Sequence, residues 1–245
     1  MGITDNELQQ SLIQPCAVPD PPAEIDLRNC DIREILEGPP IEGITLVIGD
    51  PPWYYAQAPG HSANPQNHYE ILTDLQIAEI CEAAYHFMSD RGRLALWCTW
   101  PKLGQWWAAK QGIPNWSWRY VSGGSWHKVG GAAGTGFHWL GATELVELSV
   151  KGTGLVTEWT PLKNGHISER GAHSAKPVAW MIQWLERWTA PGDTVLDLFA
   201  GLGSVAVACL HTGRRYVGAE IDPDRFEAAR LNIHRALNGL KNGPT

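Results

Sequence analysis

The chain has 245 residues, 44% hydrophobic and 18% charged, enough to bury one core and an enclosed ligand, which excludes a fibre, a coiled coil or a wholly disordered segment. The formal net charge of −7 is local: residues 1–50 hold ten acids and two bases, and the remainder holds sixteen acids and seventeen bases, so charge excludes neither an anionic nor a neutral partner. No run approaches the roughly 18 apolar residues of a membrane span, and the start MGITDNELQQ lacks a secretory pattern. Five scattered cysteines without C-x-x-C spacing indicate reduced thiols rather than a disulfide framework or a zinc site. The expectation is a cytoplasmic protein with no membrane partner and no metal.

In chain order, residues 1–22 are polar, end in Pro19-Asp20-Pro21-Pro22 and carry no period, which predicts a flexible arm ahead of a single domain over 23–245. Short β-rich runs then follow, each closed by a turn signal: ITLVIGD (44–50), RLALWC (93–98), ELVELSV (144–150), TVLDLF (194–199) and RYVGAEI (215–221). Helical patterns lie between them. One covers 74–89, and another follows Pro177, where Val178, Met181, Ile182, Leu185 and Trp188 share one apolar face before Pro191-Gly192 stops it. Continuous apolar strands alternating with helices predict a mainly parallel sheet covered on both faces, with ligands bound at its carboxyl edge.

Thirteen tryptophans are present, eight of them between Trp97 and Trp139, interleaved with Lys102, Lys110, Arg119 and Lys128. Such a stretch can stack bases and neutralise phosphates, or it can simply pack a core; the two readings carry equal weight.

Two strand ends are chemically unusual. Asp197-Leu198-Phe199-Ala200-Gly201-Leu202-Gly203-Ser204 joins a strand to a helix through glycines that let backbone approach a ligand, and Glu220, at the end of the next strand, is placed to accept from both hydroxyls of a ribose. Ala206 stands where a dinucleotide fingerprint prefers its third glycine, which weakens a dinucleotide and favours a nucleoside cofactor such as S-adenosylmethionine. The other end is Asp50-Pro51-Pro52-Trp53. A carboxylate at Asp50 and the carbonyl of Pro51 can accept both N–H groups of an exocyclic base amine, drawing the nitrogen towards a tetrahedral, nucleophilic geometry, while Pro52 stiffens the turn and Trp53 offers a face on which a base can stack. Asp-Pro is equally an ordinary way to open a turn.

At these residues the sequence resembles the nucleobase amino-methyltransferases, more narrowly the MT-A-seventy family of adenine N6 methyltransferases. The resemblance covers roughly residues 25–235 and rests on Cys30-Asp31-Ile32-Arg33, Asp50 to Trp53, Trp126-His127-Lys128, Gly134 to Leu140, Glu144 to Gly152 and Lys176-Pro177. The catalytic block precedes the glycine block, the permuted order of the β class. The resemblance implies a Rossmann-like α/β methyltransferase with a seven-stranded, mostly parallel sheet, in which residues 117–150 supply an antiparallel hairpin at one edge. It implies that Asp31 and the backbone of Ile32 hold the cofactor adenine, Lys176 its carboxylate and Glu220 its ribose, with Asp50, Asp197, Phe199, Gly201, Gly203 and Ser204 completing the cofactor site. Tyr55, Trp126 and Lys128 are the candidates for nucleic-acid contact, within a recognition region over about 100–140. Gly201-Leu202-Gly203 is closer to bacterial DNA enzymes than to the eukaryotic members, which turns the substrate expectation towards adenine in DNA.

The alternatives are an RNA adenine methyltransferase, a cytosine N4 methyltransferase of DNA, and a catalytically silent nucleic-acid-binding subunit. The short recognition region implies a brief or loosely specified target, or help from a homodimer partner or helper subunit. Restriction-modification, phage self-protection and regulation would all use the same domain.

Overall fold

The computed structural model describes residues 24–53, 72–129, 143–152, 165–169 and 175–242. The predicted arm over 1–22 lies outside them. The elements run β1 (Ile25–Arg28), α1 (Ile32–Leu36), β2 (Ile44–Gly49), α2 (Asp74–Phe87), β3 (Met88–Cys98), α3 (Trp100–Gln111), β4 (Arg119–Val129), β5 (Thr143–Val150), β6 (Gly165–Glu169), α4 (Val178–Trp188), β7 (Thr194–Asp197), α5 (Ser204–Thr212), β8 (Arg215–Ala219) and α6 (Pro223–Asn242).

Among the described residues, one sheet of eight strands has the order β1-β8-β7-β2-β3-β5-β4-β6. Of these eight strands β5 alone runs against its neighbours; the pairs β1·β8, β8·β7, β7·β2, β2·β3 and β4·β6 are all parallel. The expected seven strands become eight because Gly165–Glu169 adds a parallel strand outside β4. The predicted hairpin is therefore real as an antiparallel β4·β5 pair, but β6 and not the hairpin forms that edge of the sheet. β1 also has no apolar run of its own: Ile25 and Leu27 face inward while Asp26 and Arg28 pair with each other outside, and β8 supplies the partner that makes it a strand.

The buried residues divide between two cores, and along β2 an irregularity between Ile44 and Leu46 shifts the alternation so that Ile44 faces the same way as Val47. From β2, Ile44 and Val47 pack on the side of α2 and α3, together with Leu94, Leu96, Trp106 and Trp118. Leu46 and Ile48 point the other way, towards Trp97, Trp126, Trp180, Trp184 and Met181 on the side of α4 and α5. The apolar face read after Pro177 is α4, which packs there. Among the described residues no helix is long and apolar enough to cross a membrane.

Candidate active site

The glycine turn is held from both sides: Leu198 N–H donates to Ile48 O at 2.9 Å and Ala200 N–H to Ala219 O at 2.8 Å, so β2 and β8 fix the loop between β7 and α5. Gly201 (φ +54°) and Gly203 (φ +80°) occupy left-handed backbone, and a Cβ on Gly203 would meet the Ala229 side chain at 3.2 Å, so α6 packs directly on this turn. Glu220, at the end of β8, closes the turn. Its Oε2 accepts from Gly201 N–H at 2.7 Å and its Oε1 from Asp222 N–H at 2.9 Å. Burial pushes its pKa up, against the pull of those two N–H bonds.

At the end of β1, Asp31 caps α1. It accepts from Arg33 N–H at 2.8 Å, Glu34 returns the bond to Asp31 N–H at 3.2 Å, and the Arg33 guanidinium grips the carboxylate at 2.6 Å. That guanidinium holds the carboxyl below its ordinary pKa, against a smaller opposing effect of burial. Asn29 ties this turn to the neighbouring one by donating to Glu220 O at 2.8 Å.

At the end of β2, Trp53 N–H donates to Pro51 O at 2.8 Å, turning the chain tightly, and the Trp53 indole N–H donates to Trp97 O at 3.0 Å. The Pro51 carbonyl thus has one acceptor position engaged and one left. Asp50 receives the Lys176 ammonium, which also donates to Glu144 Oε2 at 3.2 Å. Glu144 additionally pairs with Lys128. Burial alone would lower the Lys176 pKa, but Asp50 and Glu144 outweigh it and hold the ammonium charged; burial likewise opposes ionisation of Glu144, and the two lysines overcome it.

These turns open on one cleft of about 340 Å³ at the carboxyl edge. Of the residues singled out from sequence, Asp31, Ile32, Asp50, Pro51, Pro52, Trp53, Lys176, Phe199, Gly201 and Glu220 line it together. Asp197 does not: it is 2% exposed beneath the turn, accepting from Tyr216 O–H at 3.1 Å and Phe199 N–H at 3.3 Å. Gly203 and Ser204 open α5 behind the lining. Tyr55 and the block Gly134 to Leu140 lie outside the described residues.

Two nucleic-acid candidates are corrected. Trp126 is fully buried, its N–H bonded to Ser168 Oγ at 2.9 Å, so neither ring face is open to a base. Lys128 turns inward with it, 8% exposed and paired with Glu144, so its charge is spent inside the protein rather than on a phosphate. Most described tryptophans of the rich stretch are core: Trp97, Trp106, Trp118 and Trp126 are buried, whereas Trp100 and Trp107 are exposed.

Sequence reasoning assigned no role to Glu144, Cys30, Cys98 or Thr99, all of which line the cleft. Glu144 reaches it because β5 runs in reverse and so begins at the edge where the parallel strands end. Its signal was a carboxylate at the head of an apolar run. Burial pushes the Cys98 thiol to about 12 and raises that of Cys30, so both stay protonated at neutral pH.

A family model described as DNA methylase (N6_N4_Mtase) matches residues 151–231. The chain is 37% identical over 68 residues to the Escherichia coli (strain K12) protein named "Putative methylase YubD", a match covering 28% of this chain and 30% of that one. It is 36% identical over 73 residues to the ribosomal protein L11 methyltransferase of Tolumonas auensis, covering 29% and 24%. The chain thus spans less than a third of the length of these curated relatives. Two solved structures overlay nearly all of it: the M1.HpyAVI-SAM complex, with TM-score 0.62 and 17% identity over 85% of this chain and 99% of that one, and PvuII DNA methyltransferase (cytosine-N4-specific), with TM-score 0.66 and 15% identity over 91% and 94%. The protein therefore has the α/β fold of the S-adenosylmethionine-dependent DNA methyltransferases, and a third of its length matches the DNA methylase family.

Proposed function

We propose that this chain transfers a methyl group from S-adenosylmethionine to the N6 amine of adenine in DNA, as a relative of the MT-A-seventy enzymes. The observation that carries the reading is that Asp50 and Pro51 share one cleft with Glu220, Asp31 and the glycine turn. A cleft of about 340 Å³ lies in the range of small-molecule sites. Its donor set suits an uncharged nucleoside: each Glu220 oxygen spends one lone pair on a backbone N–H and keeps another for a ribose hydroxyl, and Asp31 and Ile32 stand on the same cleft for the adenine. The bound cofactor supplies the electrophilic methyl carbon.

The chain's own groups prepare the acceptor. Asp50 takes one N–H of the amine and the remaining lone pair of the Pro51 carbonyl takes the other, so the nitrogen lone pair leaves the ring plane and points at the methyl carbon. Lys176, with three donors and two carboxylate partners among the described residues, keeps Asp50 oriented and has a donor left for the cofactor carboxylate. Transfer of that carbon would break its bond to sulfur and leave a neutral thioether, and the proton released by the nitrogen would pass by way of Asp50 to water. Trp53 is 8% exposed, and the part of it that lines the cleft is the surface against which the extruded base rests, holding the amine in line.

Cytosine N4 methylation is a second reading, favoured by the likeness to the PvuII enzyme and met by the same acceptor groups. Incubation with labelled S-adenosylmethionine and unmodified DNA or RNA, followed by nucleoside analysis, separates the two. N6-methyladenine in DNA is expected; N4-methylcytosine, a product in RNA alone, or no product at all would replace the reading.

A further inference from the structure

Lys110 and Glu147 are 6% and 4% exposed, on α3 and β5, and neither lines the cleft. A lysine and a carboxylate withdrawn from water seldom recover the desolvation penalty through their attraction, so stability is a poor reason for the pair. Its contacts supply a better one. The Lys110 ammonium donates to both Glu147 oxygens at 2.7 Å, Ser149 O–H donates to Oε1 at 3.0 Å, and the Trp106 indole N–H donates to Oε2 at 3.0 Å. Trp106 is fully buried and meets Trp53 edge-on, with ring centroids 5.9 Å apart and planes at 73°. Trp53 is thereby held at its N–H end by Trp97 O and against its ring by Trp106, whose own orientation depends on Glu147.

We propose that the buried Lys110–Glu147 pair is the positioning element of Trp53, acting through Trp106. This rests on the reading of Trp53 as the stacking face for the target base. A carboxylate fixed by a lysine and a serine has one acceptor direction left for the Trp106 N–H, which sets the tilt of that indole and, through it, where the Trp53 ring sits in the cleft. None of the three residues touches substrate; they determine how well the base is aimed, and a misplacement on the order of 1 Å costs about 100-fold in rate.

The test uses the full chain with two paired substitutions. Lys110→Met with Glu147→Leu replaces the ion pair by apolar side chains of similar volume, a change that commonly preserves folding but removes the acceptor of the Trp106 N–H. Lys110→Met with Glu147→Gln gives the acceptor back. Expected for the first is a kcat on DNA lowered by about 10- to 100-fold, with the cofactor dissociation constant unchanged and the crystal structure showing a displaced Trp53 ring; for the second, kcat within about threefold of wild type. Wild-type kcat in the first, equal loss in both, or a Trp53 ring within about 0.5 Å of its native place overturns the proposal. If the first fails to fold, Glu147→Gln alone and Glu147→Leu alone, which keep and delete the acceptor of the Trp106 N–H, replace the pair with the same expectations. A wild-type protein that methylates no nucleic acid defeats the proposed function instead, while the ring position still decides the positioning role.

Discussion

Asp197 makes the stability of this protein depend on pH in an unusual sense. Burial, helped by the negative charges of Glu220 and Asp50, pushes its carboxyl from an ordinary 3.8 to about 7, against the bonds from Tyr216 O–H and Phe199 N–H. Between about pH 4 and pH 7 the unfolded chain has released this proton and the native protein retains it, so stability from this group falls as pH rises. The slope is about 1.4 kcal/mol per unit, or on the order of 4 kcal/mol across the window, and is level above it. Asp197→Asn keeps the size and an acceptor oxygen but cannot titrate. Urea unfolding of both proteins from about pH 4 to about pH 8 at constant ionic strength measures the effect. The stability difference, wild type minus variant, should fall by about 4 kcal/mol up to about pH 7 and then stay constant. Parallel pH profiles would show that the carboxyl ionises normally in the fold and that the burial argument is wrong.

The remaining predictions separate the roles of individual residues. Asp50→Ala should reduce turnover by at least about 100-fold while leaving the cofactor dissociation constant within about threefold, measured by calorimetry beside the transfer assay; lost cofactor affinity would move Asp50 to the other substrate. Glu220→Ala should do the reverse, weakening the cofactor by at least about tenfold through loss of charged hydrogen bonds, and an unchanged constant would remove it from the cofactor site. Trp126→Ala should cost about 3–5 kcal/mol in denaturant unfolding and leave the DNA affinity of the folded fraction within about threefold; normal stability with lost affinity would restore it as a nucleic-acid contact.

What could be read from sequence follows from where apolar runs end. β2, β7 and β8 are continuous apolar segments that stop at Asp50, at the glycine turn and at Glu220, so a parallel-sheet reading already brings these residues to one edge. β1 and β6 were not legible, because IDLR and GHISE are short and half exposed and become strands only by pairing with β8 and β4. Trp126 and Lys128 were named as nucleic-acid contacts beside the resemblance, while the residues themselves left core and surface equally open. They stand two apart on β4, so strand periodicity puts both on the inner face while His127 points out, and that spacing was available in the sequence. Glu144 required knowing that β5 is reversed. Composition does not encode strand direction.

The pairing of β1 with β8 brings Ile25 beside Tyr216 and Arg28 beside Ala219, so a strand made early in this stretch of chain waits for one made much later. Until synthesis has passed β8, the turn bearing Asp31 lacks the bond from Asn29 to Glu220 O and has only the packing of α1 on α2 to hold it, and the entropy of closing so long a loop delays its docking further. The side of the cleft that bears Asp31 and Glu220 therefore assembles late, and a nascent chain halted before β8 carries Asp50 and Trp53 without Glu220 in the lining.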